Sequence, residues 1–428
     1  MKLPHSAAPS WYEASATRRA PAPALTGDVQ TDVCVVGAGI AGCSAALHLA
    51  ERGYRVVLLE AERVGFGGSG RSGGQLIPGY ASGQHPLIAQ LGREDARRLW
   101  NFTVEGIDLV RERVSRHRID CDLAWGHLHA AIKPRQREEL AGWQREFEDD
   151  YGYRSTRILE RAEMESLIAT NRYCAGLHDT DAGHLHPLKY VLGLGAAAQA
   201  AGAQLYEGSR VTAIERGPTV TIRTTTGSVR AKYVALCGNI ELANIFPALA
   251  RRVIGIATYI VATRPLGAER AAALIGNNLA VADINWIIDY FRLSPDHRLL
   301  FGGRVSYSGI DPIGTARATR QRMLRVFPQL ADTEIEYAWG GFLDITMNRA
   351  PNFGRLEPNL YFLQGFSGHG MVLTGIAGKI VAEAIAGQAE RFDVYERIRH
   401  HDFPGGMALR RPTLVMAMTW FRLRDLLP

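Results

Sequence analysis

A glycine-rich turn between two apolar runs, within residues 31–80, constrains the fold of this chain more than any other feature. The run Asp32–Val36 is followed by Gly37, Gly39 and Gly42, which complete the spacing G-x-G-x-x-G. This order predicts a buried parallel strand, a tight turn and a helix whose first N–H groups point at an anion. The first glycine permits the bend, the second lets the backbone approach a pyrophosphate, and the third lets the helix pack on the sheet.

An acid after the second apolar run completes this pattern. Arg55–Leu59 predicts a second strand, and Glu60 stands just past its end, where a carboxylate accepts hydrogen bonds from ribose hydroxyls. Strand, turn, helix, strand and acid in this register predict a dinucleotide-binding unit, in which Ile40 and Ala41 also contact the ligand. At this point NAD and FAD satisfy the pattern equally.

The residues after this acid distinguish the two cofactors. They read AERVGFGGSGRSGGQLIPGY, a second glycine cluster that contains an arginine. The cluster resembles the second flavin-contacting segment of the D-amino-acid oxidase superfamily of FAD-dependent amine oxidases, in which backbone amides and an arginine meet the pyrophosphate and the isoalloxazine. The resemblance implies FAD. It also implies contacts from these loop residues: Ala61, Arg63, Gly68, Ser69, Gly70, Arg71, Ser72, Gly73, Gly74, Gln75 and Leu76.

Three later stretches resemble further FAD-contacting elements of the superfamily. Val211 matches a valine that meets the adenine, and Cys237-Gly238 matches a turn beside the cofactor, where the cysteine is either a small packing residue or a redox thiol. The third stretch, GFSGHG, opens a helix of small residues. In the superfamily it lies at the pyrimidine end of the flavin, where the helix N-terminus stabilises negative charge. The contacts implied there are Gly365, Phe366, Ser367, Gly368, His369, Gly370 and Met371.

The resemblance implies an α/β fold of the D-amino-acid oxidase/sarcosine oxidase type. It combines a discontinuous Rossmann-like FAD-binding domain with an α+β substrate domain that has a mainly antiparallel sheet. The period of two between Ile254 and Val305 agrees with such a sheet. The expected boundaries are an N-terminal arm at 1–26, an FAD-binding domain at 27–85, 160–245 and 335–395, a substrate domain at 86–159 and 246–334, and a C-terminal segment at 396–428.

Composition excludes several other classes of function. The net charge of +6 is dispersed, without a long basic run interleaved with aromatic residues, so nucleic acid is not an expected partner. The five cysteines form no C-x-x-C, and His184 and His186 have no ligand partner at matching helical spacing, so no metal site is expected. The absence of a secretory signal and of an apolar run of spanning length predicts a soluble, cytoplasmic protein.

The sequence is compatible with three roles for one apolar stretch. Leu414–Phe421 is flanked by arginines, a pattern that suits a docked helix, an oligomer contact or peripheral contact with a membrane surface. In the N-terminal arm, Trp11 and Tyr12 are the only large residues. We therefore expect the arm to be partly ordered where they dock.

Peripheral motifs narrow the activity that the resemblance implies. The stretches SWYEAS, DYFRLSPDHRLLFGGRV, YAWGG and GQAERFDVYERIRHHDFPGG resemble members that oxidise the primary amine of gamma-glutamylputrescine or a similar gamma-glutamylated polyamine. The implied reaction transfers a hydride to flavin N5, gives an imine that hydrolyses to an aldehyde and ammonia, and reduces O2 to H2O2. The alternatives are an oxidase or dehydrogenase of a secondary amine or D-amino acid, and a membrane-surface dehydrogenase that passes electrons to quinone.

Three positions depart from the sarcosine oxidases of the superfamily. Gly341 stands where those enzymes carry a flavin-linked cysteine, so the FAD is expected to be non-covalent and to lie against this glycine. Val372 stands where those enzymes hold the substrate carboxylate with a lysine, which disfavours a small alpha-amino acid. Their oxygen-activating lysine is replaced near Leu300, so the electron acceptor is either O2 or another molecule.

Four residues are candidates for contact with the substrate. Ala282–Leu293 is predicted as one strand, which places Trp286 and Tyr290 on the same face, as walls for an aliphatic amine or as core residues. His369 is expected against the flavin, with a possible role toward the substrate. Arg304 is expected to bind a gamma-glutamyl carboxylate or to form a surface ion pair.

Overall fold

The structure is a computed structural model of the 428-residue chain. It describes residues 10–306 and 314–405, together with residues 409, 412, 415 and 416. The strands of the described ranges are Gly27–Val36 (β1), Val56–Leu59 (β2), Gln75–Leu76 (β3), Ala124–Ala131 (β4), Thr156–Glu160 (β5), Ala175–His184 (β6), Gln204–Tyr206 (β7), Ala213–Glu215 (β8), Val220–Arg223 (β9), Gly227–Leu236 (β10), Val253–Thr263 (β11), Ala280–Asp283 (β12), Tyr290–Leu293 (β13), Leu299–Ser306 (β14), Ile335–Thr346 (β15), Asn352–Glu357 (β16) and Leu360–Gln364 (β17).

The α-helices of the same ranges are Trp11–Ser15 (α1), Ile40–Glu51 (α2), His85–Leu91 (α3), Arg93–Arg116 (α4), Pro134–Tyr151 (α5), Arg161–Leu167 (α6), Pro187–Ala200 (α7), Pro247–Ala250 (α8), Ala268–Leu274 (α9), Thr315–Val326 (α10), Gly370–Ile385 (α11) and Glu390–Glu396 (α12). Their ends follow local chemistry. In α5, Pro134 occupies the first turn, where a missing N–H costs little, and Gly152 ends the helix with a left-handed φ of +67°.

An eight-stranded sheet carries the dinucleotide fingerprint. Its order is β16-β17-β10-β1-β2-β7, with β9 paired to β10 and β8 to β9. The central pairs of β1 with β2 and of β10 with β1 and β17 are parallel, and β2 is buried along its whole length. Helix α2 packs against both α7 and α11. The predicted Rossmann-like unit is confirmed.

A nine-stranded sheet lies beside the first one. Its order is β15-β11-β14-β13-β12-β4-β6-β3, with β5 paired to β6, and its pairs are antiparallel except for β12 with β4. One face packs against α10, through residues such as Val261, Phe301 and Met323. The opposite face joins the core of the first sheet through Ile260 and Leu300. The register of the strand pairs places six residues in one row across this inner face, one from each of six neighbouring strands: Trp339, Ile260, Gly302, Tyr290, Ala282 and His129.

The prediction of one continuous strand over Ala282–Leu293 is wrong, because residues 284–289 form a connecting turn between β12 and β13. Asp283 Oδ1 accepts a hydrogen bond from the backbone N–H of Asn285, and the backbone N–H of Asp283 donates to the carbonyl of Asp289. Local carboxylate-to-backbone bonds of this kind compete with a strand ladder. Trp286 therefore lies in the turn and shares no strand face with Tyr290.

Strand pairing also bears on the expected domain boundaries. Strands β6 and β15 fall within segments predicted for the FAD-binding domain, yet both pair in the nine-stranded sheet. Helix α7, which packs on α2, follows β6, and β16 of the eight-stranded sheet follows β15. The boundaries remain a prediction, and β6 and β15 lead from the nine-stranded sheet into elements that pack with the first sheet.

The N-terminal arm docks as expected through its two large residues. Ser10 caps α1 by accepting from the backbone N–H of Glu13, and Trp11 and Tyr12 are buried. The Tyr12 ring packs edge-on against Trp339, 5.1 Å between centroids, and its hydroxyl accepts from Arg292 Nη2 at 3.1 Å. The arm is therefore attached to the second sheet.

The far C-terminal prediction concerns Leu414–Phe421, of which residues 414 and 417–421 lie outside the described residues. Within the described ranges no single helix is long and apolar enough to cross a membrane, and only the pair α11 and α12, bent by 117°, passes on length and composition.

Candidate functional site

The turn after β1 has room only for glycine at its critical positions. Gly37 adopts a φ of +101°, a region that favours glycine, and a Cβ there would lie 2.8 Å from the carbonyl oxygen of Cys237. A Cβ at Gly42 would lie 1.8 Å from the carbonyl oxygen of Gly37. The turn and the first turn of α2 therefore close on each other, as a pyrophosphate-binding turn requires.

Glu60 supplies a half-buried acceptor beside this turn. Its Oε2 accepts from the backbone N–H of Ala38 at 2.7 Å, and its Oε1 accepts from that of Glu62 at 2.9 Å. Burial raises the pKa of the Glu60 carboxyl. Hydroxyl donors from a ribose would favour its ionised form, so the carboxylate is placed as the fingerprint predicts.

The second glycine cluster folds back onto the start of α2. Residues Gly68–Gly70 form a 3₁₀ turn, and Ser69 Oγ accepts from the backbone N–H of Ile40 at 3.0 Å. Arg63 pairs with Glu207 at 3.1 Å, which anchors the beginning of the loop. The two glycine clusters, separate in sequence, thus form one surface around the helix N-terminus.

Arg71 contacts the strand that contains Gly341, a predicted flavin contact. Its Nη1 donates to the carbonyl of Gly340 at 3.3 Å, and a Cβ at Gly341 would lie 3.2 Å from the Arg71 Cβ. Trp339 Nε1 donates to the Arg71 carbonyl at 3.0 Å. The residue that stands in place of a flavin-linked cysteine therefore lies against the flavin loop.

The end of this loop joins three other elements. Ser72 Oγ lies 3.1 Å from Met371 Sδ at the start of α11. The carbonyl of Gly73 accepts from Arg292 Nε at 2.9 Å, and Gln75 Nε2 donates to the carbonyl of Val281 at 3.0 Å. The remaining predicted loop residues, Ala61, Gly70, Gly74 and Leu76, lie within the same continuous segment.

Asp344 holds the GFSGHG turn. Its carboxylate accepts from the backbone N–H groups of Gly365 and Phe366, the second at 3.2 Å, and its carbonyl accepts from the N–H of Ser367 at 2.9 Å. Burial raises the pKa of the Asp344 carboxyl to about 7. Helix α11 begins directly after this turn, with His369 as its N-cap and Gly368 exposed. Its free N–H groups form a second anion-facing helix end.

The FAD contacts of Val211 and of the turn Cys237-Gly238 stay predictions, and the structure places both segments at the first sheet. Cys237 follows β10, and its backbone N–H donates to the carbonyl of Val36 at 2.8 Å. Burial raises the pKa of its thiol to about 12, which opposes a redox role and favours a packing role. Gly238 begins the 3₁₀ segment Asn239–Asn244. Val211 is half-buried beside the core of the first sheet, before β8.

These residues fit FAD. Side chains are excluded where the pyrophosphate must approach, a half-buried carboxylate stands at the ribose position, and the N-termini of α2 and α11 contact the loop 61–76 at Ser69 and Ser72. Gly341 offers no thiol for a covalent link. The donor set therefore suits a non-covalently held dinucleotide with a ring system between the two sheets.

Tyr290 and His369 both face this loop region. The Tyr290 ring lies 2.8 Å from the position of a Cβ at Gly73 and 2.1 Å from one at Gly302, so these glycines make room for the ring. Burial raises the Tyr290 pKa. Burial, and secondarily the charge of Arg349, lowers the pKa of His369 to about 3, so the imidazole is neutral.

Trp286 and Arg304 are placed differently from this pair. The guanidinium of Arg349 lies 5.2 Å from the centroid of the Trp286 ring, and Arg349 also acts on His369. Arg349 therefore connects Trp286 to the region around His369. Arg304 pairs with Tyr259 in the β11–β14 ladder, but its side chain lies outside the described residues.

His184 and His186 support the fold through hydrogen bonds. His186 caps α7 by accepting from the backbone N–H of Lys189, and His184 Nε2 bonds the carbonyl of Asn278 at 2.7 Å. Across residues 10–306 and 314–405 no group of three or more His, Cys, Asp or Glu side chains is placed to hold a metal ion.

Val372, which stands in place of a carboxylate-binding lysine, packs between helices. It is buried, and its Cγ1 lies 2.6 Å from the position of a Cβ at Gly106 in α4. The side chain therefore belongs to the contact between α11 and α4.

Sequence reasoning missed three residues that build the site. Arg292 is almost completely buried in β13, Asp344 holds the turn before α11, and His127 contacts Gln75. A charged residue inside an otherwise apolar strand is a usable signal, and it was present for Arg292 in YFRL. The partners of Asp344 and His127 are distant in sequence, so neither role has a local signature.

Comparisons with known proteins agree with this geometry. The profile of the family described as FAD dependent oxidoreductase matches residues 32–384. The chain is 41% identical over 421 residues to gamma-glutamylputrescine oxidoreductase of Escherichia coli, covering 97% of this chain and 98% of that protein. It is 38% identical over 421 residues to a probable oxidoreductase, OrdL, of Haemophilus influenzae, covering 97% of each protein.

Among solved structures, glycine oxidase from Geobacillus kaustophilus has a similar fold. The TM-score is 0.72 at 20% identity, and the match covers 87% of this chain and all of that one. At this identity the similarity concerns the fold alone.

Proposed function

Because the chain belongs to the FAD dependent oxidoreductase family, we propose that it oxidises the free primary amine of gamma-glutamylputrescine or a similar gamma-glutamylated polyamine. Family membership confirms the predicted cofactor, FAD. The observation that carries the substrate proposal is the 41% identity, over nearly the whole of both chains, to gamma-glutamylputrescine oxidoreductase.

Bound FAD supplies the acceptor for two electrons from the amine-bearing carbon, which leaves an imine that hydrolyses to an aldehyde and ammonia. The residues of the chain bind and orient the amine and keep water away. Trp339, Ile260 and Tyr290 stand abreast on the inner face of the second sheet. Trp339 and Ile260 are buried and Tyr290 is half-buried, so these largely apolar side chains offer a dry wall beside the loop that ends at Gly73 and Gln75.

The far end of a gamma-glutamylated substrate carries a carboxylate, and Arg349 is its proposed partner in place of Arg304. Arg349 adopts a φ of +60°, an uncommon conformation for a residue with a side chain. Its guanidinium stacks on Trp286 and acts electrostatically on His369. A planar guanidinium at the edge of the site suits bidentate contact with a carboxylate.

An anaerobic panel of amines tests the proposal. Purified holoenzyme is mixed with gamma-glutamylputrescine, putrescine, sarcosine, glycine and D-alanine, and the bleaching of the flavin absorbance is followed. We expect fast bleaching with gamma-glutamylputrescine and much slower bleaching with the others. Bleaching by sarcosine or D-alanine alone would support the alternative activity, and no bleaching by any amine would refute both.

The variant Arg349→Met tests the carboxylate contact. We expect a higher KM for gamma-glutamylputrescine and an unchanged KM for putrescine, which has no carboxylate and serves as the internal control. An equal change for both substrates would contradict the assignment. Reoxidation of the bleached enzyme by O2 or by a soluble quinone, measured in parallel, identifies the acceptor.

A further inference from the structure

Strand β4 contains a bulge directly before His127. Trp125 pairs with Gly183 and His127 with Asp179, so the register shifts between them, and Gly126 takes a φ of +107°. A Cβ at Gly126 would also lie 2.4 Å from Leu279 Cδ2. Bulges of this kind re-aim the side chain that follows them and occur often beside active sites. The bulge therefore sets the direction of the His127 ring.

A chain of hydrogen bonds fixes which nitrogen of His127 carries the proton. Gln75 Nε2 donates to the carbonyl of Val281 at 3.0 Å, because a carbonyl can only accept. Gln75 Oε1 therefore faces His127 Nε2, at 3.3 Å, and an amide oxygen can only accept as well. His127 Nε2 must be the donor, so in the neutral ring Nδ1 is a bare acceptor.

This acceptor is completely buried. His127 has no exposed surface, and in the described part of the chain Nδ1 has no hydrogen-bond partner. Leaving a buried acceptor unsatisfied costs about 1–3 kcal/mol, so the position calls for a donor. Burial keeps the pKa of His127 well below its usual value, so the ring stays neutral.

Several titratable side chains surround His127. Four histidines act on it electrostatically, His129 in β4, His184 and His178 in β6, and His369 before α11, and Asp179 is its partner in the β4–β6 ladder. The His129 ring lies 4.5 Å from the His127 ring, and burial lowers its pKa to about 4. A neutral amine loses less hydration free energy than an ammonium ion on entering such a buried position.

We propose that His127 Nδ1 accepts a hydrogen bond from an N–H of the substrate amine, which it binds and orients in the neutral form. This assignment rests on the proposed function. His127 contacts Gln75, at the end of the flavin loop, so an amine nitrogen bound at Nδ1 lies beside that loop. The ammonium form of the substrate loses one proton to solvent before the neutral amine binds.

Nuclear magnetic resonance of histidine nitrogens tests the tautomer and the contact in the wild-type enzyme. Holoenzyme labelled with 15N-histidine is reduced with dithionite, so that an added amine binds without turnover. We expect His127 to show a protonated Nε2 and an unprotonated Nδ1, whose resonance moves when gamma-glutamylputrescine is added. The signal is assigned by its loss in His127→Asn. A protonated Nδ1, or an Nδ1 resonance that does not move, would overturn the proposal.

Kinetics of anaerobic flavin reduction test the same contact in three variants. His127→Phe removes the acceptor, and we expect an amine dissociation constant about tenfold higher, which corresponds to one lost hydrogen bond. His127→Asn retains an acceptor near the Nδ1 position and should recover part of that loss. His178→Phe is the matched control on the opposite face of the same sheet, because His178 pairs with Leu128.

The outcomes separate the two proposals. If wild-type enzyme is not reduced by any amine, the proposed function fails. If wild-type enzyme is reduced and His127→Phe binds the amine as tightly as wild type, the His127 assignment fails alone. An equal loss in His178→Phe would mark a structural effect of the sheet and would also refute the assignment.

Discussion

Replacing Asp344 with asparagine should remove a pH-dependent part of the stability of this enzyme. Asp344 is 3% exposed, and its carboxyl has a pKa of about 7 in the folded chain against an ordinary value of 3.8. A carboxyl whose pKa is raised on folding stabilises the fold below the unfolded pKa, and this contribution is lost as pH rises through the folded pKa. Three pKa units correspond to about 4 kcal/mol of unfolding free energy, lost between pH 4 and pH 8.

Urea unfolding of the FAD-saturated enzyme at several pH values measures this contribution. Asp344→Asn also loses acceptors for Gly365 and Phe366, so the variant should be less stable at pH 4. The stability difference between wild type and variant should then shrink by about 4 kcal/mol by pH 8. Asp149→Asn, at an exposed end of α5, is the control and should show a constant difference. A constant difference for Asp344→Asn would refute the reasoning.

Four further substitutions have expected outcomes. Gly42→Ala places a Cβ 1.8 Å from the Gly37 carbonyl oxygen, so the protein should purify without yellow colour. Its control, Gly142→Ala in helix α5, meets nothing within 4 Å and should raise the unfolding free energy by about 0.5–1 kcal/mol. Glu60→Gln weakens a charged acceptor and should raise the dissociation constant for FAD about tenfold or more, measured by fluorescence titration. Arg292→Met removes the donors to the carbonyl of Gly73 and to Tyr12 and should cost about 3 kcal/mol in urea unfolding; a loss below 1 kcal/mol would contradict its structural role.

The cofactor side of the site was predictable because its chemistry is local. Gly37 and Gly42 are required by backbone geometry within a few residues of each other, and GFSGHG opens its own helix. Spacing alone therefore identifies such turns. Cofactor identity needed the second cluster around Arg71 and its resemblance to a known family.

The side of the site toward the nine-stranded sheet was less predictable, because the residues that contact each other there are far apart in the sequence. The alternation that predicted one strand over Ala282–Leu293 ignored the competing local bonds of Asp283. His127 and Gln75 are separated by 52 positions, and Arg292 and Gly73 by 219. No period or spacing encodes pairs of this kind, which depend on the register between sheets.

The docked N-terminal arm implies an order of events during synthesis. Trp11 and Tyr12 leave the ribosome first, but the residues they bind, Asp296 and Arg292, follow 285 and 280 positions later. The arm therefore remains undocked until most of the chain has been synthesised. Because Arg292 also holds the carbonyl of Gly73, the flavin loop gains its final support at the same late moment. Loading of FAD should accordingly follow, rather than guide, the folding of the growing chain.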